Sequence, residues 1–112
     1  MHELSLTRNV VSMVAERAGG RAVTAVTLRI GRLAGVSVEA VRFCFDVCAQ
    51  GTPVAGARLV IEEPEGKGEC PACGKVAGMD SLVGTCSCEK KALLRVVGGE
   101  ELLVASIEME AE

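Results

Sequence analysis

Four clustered cysteines constrain the fold of this chain more than any other feature. Cys70 and Cys73 are separated by two residues and followed by a glycine, and Cys86 and Cys88 form a second, tighter pair. A Cys-x-x-Cys spacing turns both sulfur atoms toward one point, and glycine permits the sharp turn that follows. Two such pairs resemble a tetrahedral site, so we predict that all four cysteines hold one structural Zn²⁺.

Two other cysteine interpretations have to be weighed against this one. A redox role for Cys70 and Cys73 would require a helix starting at the motif to lower the pKa of the first thiol. The Gly-rich segment 74–78 is a poor helix start, which favours metal binding. Cys44 and Cys48 are four residues apart on a predicted helix and could bind metal, but we expect them to pack as small apolar side chains.

The rest of the chain shows the periodicities of a small α/β fold. Apolar residues at three- and four-residue steps predict a helix from Leu4 to Ala18, which Gly19 ends. Ser37 is predicted to be the N-cap of a second helix running to Ala49. The remaining predictions are strands at 22–30, 57–62, 92–97 and 101–110, with Val26 and Leu28 facing inward and Ala25 facing outward in the first of them.

These elements predict an α/β chain with two parts. We expect two helices on a three-stranded sheet at residues 1–66 plus 98–112, the last strand returning to the first sheet. The cysteine segment, residues 67–97, would be an inserted zinc-ribbon-like domain. Hydrophobic residues make up 49% of the chain but include only two phenylalanines, so Phe43 and Phe45 are the only large rings available to the core.

Charge and targeting features limit the classes of partner. The formal net charge is −3 and no basic stripe is evident, which argues against nucleic acid and anionic membrane as partners. No basic region precedes an apolar run, and no apolar stretch approaches the length of a membrane span. We therefore expect a cytoplasmic protein, where clustered cysteines are metal ligands more often than disulfides.

The first three residues form a second candidate metal site. The Met1 amine and the amide and imidazole nitrogens of His2 can close adjacent chelate rings on one ion, and Glu3 can add its amide or its carboxylate. Such a nitrogen-rich, near-planar set suits Ni²⁺ or Cu²⁺. The alternative is that His2, the single histidine of the chain, belongs to a disordered end.

Several motifs in order along the chain resemble the HypA/HybF family of hydrogenase nickel-incorporation proteins. The motifs are Met-His-Glu-Leu-Ser-Leu at residues 1–6, Leu-Arg-Ile-Gly at 28–31, Arg-Phe-Cys-Phe-Asp at 42–46, Cys-x-x-Cys-Gly at 70–74, Gly-Glu-Glu-Leu at 99–102 and Ile-Glu-Met-Glu at 107–110. The family's second zinc pair is usually Cys-Pro-x-Cys, from which Cys86-Ser87-Cys88 departs.

The resemblance implies a nickel metallochaperone with a nickel-binding α/β domain and a four-cysteine zinc domain. It implies nickel ligands at Met1, His2 and Glu3, with Glu39 as a further acidic candidate. It also implies delivery of nickel to [NiFe]-hydrogenase, in some organisms also to urease. The expected partners are the GTPase HypB, the hydrogenase large-subunit precursor and urease accessory proteins, and the expected state is a monomer or weak homodimer.

Two further functions remain open on the sequence alone. A zinc-ribbon module that binds protein or nucleic acid would use the same cysteines, but it predicts a basic or aromatic face, and aromatic residues make up only 2% of the chain. Catalysis lacks an evident nucleophile–base pair, so we expect a protein that is not an enzyme.

Overall fold

The computed structural model describes residues 2–111 and begins with a long helix, α1, at Glu3–Ala18. The predicted helix is confirmed to within one residue. Gly19 ends it in the left-handed conformation, with φ of 60°, and its N–H donates to the Glu16 carbonyl. Thr7, Val10, Val11, Val14 and Ala18 form the buried side, which packs on the second helix, α2, at Val38–Ala49.

The second helix starts where the sequence predicts. The Ser37 hydroxyl accepts a hydrogen bond from the Ala40 N–H and so caps α2. The helix connects two parallel strands, β1 at Val23–Ile30 and β2 at Arg58–Glu62, in a β-α-β arrangement. The strands of the structure are β1 (Val23–Ile30), β2 (Arg58–Glu62), β3 (Gly66–Glu69), β4 (Val76–Met79), β5 (Arg95–Gly98) and β6 (Leu102–Met109).

The last strand returns to the first sheet, as predicted. The sheet order is β2-β1-β6. The Glu110 N–H donates to the Ala22 carbonyl, and the Thr24 hydroxyl donates to the Glu108 carbonyl. Because the partner number falls as the β1 number rises, β6 runs antiparallel to β1. The fold class, two helices with a three-stranded sheet and a four-cysteine insertion, is confirmed.

The buried face of this sheet is built from aliphatic side chains, but two details differ from the prediction. Val26 and Leu28 are buried, as expected, and Phe45 of α2 is only 1% exposed. Phe43 is 74% exposed, so its predicted place in the core is wrong. Two helical residues turn about 200°, which puts Phe43 nearly opposite Phe45. Ala25 is buried although strand alternation puts it on the face of Thr27 and Arg29, because it is a small side chain on the central strand of the sheet.

A second sheet is formed by three strands that alternate with the two cysteine pairs along the chain. Its order is β4-β3-β5, and both pairings are antiparallel. The sequence did not predict β3 or β4. The strand predicted at 92–97 is observed as β5, shifted toward the C-terminus.

The described residues divide into two compact units. The first contains the described residues of Met1–Arg29, Val36–Glu62 and Leu103–Glu112, and the second contains Ile30–Gly35 and Glu63–Leu102. The second unit is thus larger than the predicted 67–97 segment. Backbone bonds explain the addition of residues 30–35, because the N–H groups of Gly31 and Leu33 donate to Glu101 and Gly99. Among the described residues, no helix has the length and apolarity to cross a membrane.

Candidate metal centres

The second unit brings the four predicted cysteines together. The sulfur atoms of Cys70, Cys73, Cys86 and Cys88 all lie within 4.8 Å of one another. The Cys73 and Cys86 sulfurs are 3.6 Å apart, and those of Cys70 and Cys88 are 3.9 Å apart. A regular tetrahedron with Zn–S bonds of about 2.3 Å has S–S edges of about 3.8 Å, so these separations fit a zinc ion.

The first pair forms a tight backbone loop around one sulfur. The N–H groups of Ala72 and Cys73 both point at the Cys70 sulfur, at 3.4 Å. Gly74 closes the loop with φ of 79°, and its N–H donates to the Cys70 carbonyl. The Cys70 N–H in turn donates to the Lys75 carbonyl. Glycine at position 74 therefore meets the positive φ that the turn requires.

The second pair of cysteines also forms a backbone loop around its first sulfur, although only one residue separates the two cysteines. The Cys88 N–H points at the Cys86 sulfur at 3.4 Å, so the shortened pair keeps one such contact. The Cys86 N–H donates to the Ala92 carbonyl, six residues on, where the first loop closes after five. The residue with positive φ in this loop is Lys91, at 46°. The second pair has one residue fewer between its cysteines, and the segment that follows them before the loop closes is correspondingly longer.

Burial and the neighbouring N–H groups shift the pKa values of two of the thiols in opposite directions. The N–H of Cys73, together with that of Ala72, lowers the pKa of the Cys70 thiol to about 6 despite its burial. For Cys86 the N–H of Cys88 favours the thiolate, but burial and the surrounding sulfurs outweigh it and raise the pKa to about 11. A divalent cation would bind all four as thiolates.

The donor set has the chemistry of a structural zinc site. Four sulfurs complete a tetrahedral shell and leave no position for substrate or water. Cys70 and Cys86 are buried, whereas Cys73 is exposed. Cys44 and Cys48 are half-buried on α2 and are not part of the cluster, in line with a packing role.

The N-terminal candidate site is described in part. Met1 lies outside the described residues. His2 is the N-cap position of α1, with an exposed side chain that makes no capping bond. Its carbonyl accepts from the Leu6 N–H at 3.1 Å, so the His2 backbone is held by the first turn of the helix while the imidazole is exposed to solvent.

The Glu3 carboxylate is held by the second helix. Its Oε2 accepts a hydrogen bond from the Ser37 backbone N–H at 3.0 Å. This bond, together with the N–H of Glu3 itself, lowers the pKa of the carboxyl below its ordinary value. Glu39, the further acidic candidate, lies exposed in the first turn of α2. No sequence pattern signals a bond between residues so far apart, and the role of Ser37 beyond capping was not predicted.

Comparison with known proteins shows similarity over the whole chain. The family described as hydrogenase/urease nickel incorporation, metallochaperone, hypA matches residues 1–109. A relative from Geobacter metallireducens, a hydrogenase maturation factor HypA, is 47% identical over 110 residues, covering 98% of this chain and 100% of the relative. A protein of the same description from Chlorobaculum tepidum is 44% identical over 113 residues, with coverage of 98% and 100%.

A solved structure has the same fold. The solution structure of the Ni metallochaperone HypA from Helicobacter pylori matches with a TM-score of 0.69 and 25% identity, and each chain is covered completely.

Proposed function

The chain belongs to the HypA family of hydrogenase/urease nickel-incorporation metallochaperones, and from that premise we propose that it binds Ni²⁺ at its N-terminus and delivers the ion for hydrogenase maturation. The observation that carries the proposal is the family match over residues 1–109, which includes both candidate metal sites. A match confined to the cysteine segment would have left the zinc-ribbon interpretation open, whereas the whole-chain match disfavours it.

The proposed nickel ligands are the groups of the first three residues, most of them nitrogen atoms. They are the Met1 amine, the His2 amide and the His2 imidazole, with Glu3 adding its amide or its carboxylate. The exposed imidazole of His2 supports this set, because a cargo site has to accept and release its ion from solvent or a partner. Binding removes protons from the amine and the imidazole, so nickel affinity falls as the solution is acidified.

The two compact units suggest a division of work. We assign nickel binding to the unit that contains α1 and α2, and structural zinc to the unit that contains Cys70, Cys73, Cys86 and Cys88. The zinc ion closes its own shell and acts by holding the two cysteine loops together. Neither metal is assigned a catalytic step, so the protein acts as a carrier rather than an enzyme.

The partners and location follow from the family. We infer that this chain works with the hydrogenase maturation machinery, specifically with the GTPase HypB and the large-subunit precursor. Where urease is also a client, urease accessory proteins join them. The cysteine cluster supports a cytoplasmic location, since a reducing compartment keeps these thiols available to zinc.

Nickel titration of the wild type and of His2→Ala tests this function. Isothermal titration of the zinc-loaded protein should give one nickel per chain for the wild type and none for the variant. Equal binding by both proteins would refute the N-terminal assignment. Zinc content, measured in the same samples, should be unchanged by the substitution.

A further inference from the structure

The bond between Glu3 and Ser37 joins the starts of the two helices. Glu3 is the first residue of α1, Ser37 is the N-cap of α2, and the Ser37 N–H donates to Glu3 Oε2 at 3.0 Å. The Ser37 N–H precedes the hydrogen bonds of α2, so it needs an acceptor from outside that helix. The Glu3 carboxylate supplies that acceptor, which ties the first residue of α1 to the second helix.

Two further bonds fix the first turn of α1. The Leu6 N–H donates to the His2 carbonyl at 3.1 Å. The Thr7 hydroxyl donates to the Glu3 carbonyl at 2.6 Å, and Thr7 is completely buried. The backbone of residues 2 and 3 is therefore held both by its own helix and, through the Glu3 side chain, by α2.

We propose that Glu3 is a positioning residue for the nickel site, because its carboxylate fastens the start of α1 to the Ser37 N–H and so restricts the His2 chelate before the metal arrives. This inference rests on the proposed function and adds to it a role for α2 in nickel binding. Oε2 is engaged by Ser37, so coordination of the metal through this oxygen would give up the bond. Ordering flexible groups on binding costs affinity, so a chelate held in advance binds more tightly.

Ser37→Pro and Ser37→Ala form a matched pair that tests the bond. The φ of Ser37 is −77°, which a proline ring can adopt. Ser37→Pro removes both the N–H that Glu3 accepts and the capping hydroxyl, whereas Ser37→Ala removes only the hydroxyl. Nickel affinity should be about three- to tenfold weaker in Ser37→Pro than in Ser37→Ala, as expected for one side chain that must be ordered on binding.

Substitutions of Glu3 separate positioning from direct coordination by a charge. Glu3→Gln keeps an oxygen that can accept from Ser37, so its nickel affinity should stay close to that of the wild type. Glu3→Ala should weaken binding by the same factor that separates Ser37→Pro from Ser37→Ala. The double variant Glu3→Ala/Ser37→Pro should bind no more weakly than Ser37→Pro alone, because the bond between residues 3 and 37 is already lost there.

Two outcomes would overturn the inference. One is equal nickel affinity in Ser37→Pro and Ser37→Ala. The other is an equal loss in Glu3→Gln and Glu3→Ala, which would make the charge itself a ligand. Each leaves the proposed function standing if His2→Ala abolishes binding, whereas retained binding in His2→Ala would refute the proposed function itself. Zinc content and the helical circular dichroism signal are measured in every variant to show that it is folded.

Discussion

The sulfur atoms of Cys70 and Cys88 lie 3.9 Å apart, although the two residues belong to separate loops. With Cys73 and Cys86 they form a closed set of donors whose mutual distances fit one tetrahedral ion. Four sulfur atoms this close cannot all be thiolates without a cation, so the fully deprotonated set depends on the metal.

Loss of one zinc ligand should unfold the second unit and leave the first. We expect Cys88→Ser to lose bound zinc and the amide protection of β3, β4 and β5, while α1 and α2 keep their helical signal. Cys48→Ser is the control, because this half-buried thiol lies outside the cluster and its loss should leave zinc content unchanged. Zinc analysis and amide exchange measure both results. A Cys88→Ser protein with full zinc would contradict the assignment.

Lys91→Gly should stabilise the zinc-loaded second unit by up to about 1 kcal/mol. Lys91 has φ of 46°, a conformation that costs a non-glycine residue about 1–2 kcal/mol. The greater freedom of glycine in the unfolded chain offsets about 1 kcal/mol of that gain. Lys90→Gly, next to it, should bring no stabilisation. Thermal unfolding of the two zinc-loaded variants measures the difference. Equal midpoints for Lys91→Gly and Lys90→Gly would show that the strain at Lys91 is negligible.

The two phenylalanines should respond oppositely to truncation. Phe45→Ala should lower the free energy of unfolding by about 3–5 kcal/mol, because the ring is 1% exposed and its removal leaves a cavity. Phe43→Ala should change it by no more than about 0.5 kcal/mol, since that ring is 74% exposed. Urea unfolding followed by circular dichroism tests the pair. A large decrease in the free energy of unfolding for Phe43→Ala would mean that this ring is buried by a contact in solution.

The Glu3 carboxyl should titrate at a lower pH than an ordinary glutamate. The Ser37 N–H holds the pKa of this carboxyl below its ordinary value in the folded protein. The stabilisation from this bond is therefore present above the unfolded value and is lost as the pH falls through the folded one. Carboxyl ¹³C shifts should give a Glu3 midpoint below that of an ordinary glutamate in the wild type and in Ser37→Ala. In Ser37→Pro the midpoint of the Glu3 titration should rise. An unchanged midpoint in this variant would show that the Ser37 N–H does not cause the low pKa.

Much of the fold follows from local patterns in the sequence. Helix α1 has regular apolar spacing and a terminal glycine, and α2 has a serine cap, so both were predicted almost to the residue. Strands β3 and β4 were missed because Gly66, Gly68 and Gly78 carry no strand signal, and their pairing is long-range. The cysteine spacing selected the four sulfurs that the structure brings together.

The missed features depend on partners distant in the sequence. Residues 30–35 join the second unit through backbone bonds from Gly31 and Leu33, which no side-chain pattern reveals. The Glu3–Ser37 bond likewise involves a backbone N–H, so only the tertiary structure shows it.

The exposure of Phe43 was missed because its hydrophobic character was given more weight than its position on the helix.

One added residue tests the central claim most directly. Nickel titration would compare the zinc-loaded wild type, starting with a free Met1 amine, with the same chain extended by a single glycine before Met1. The extension converts that amine to an amide and displaces it from the chelate with His2, so one-to-one nickel binding should be lost while zinc content is retained. Unchanged nickel binding by the extended chain would contradict the account.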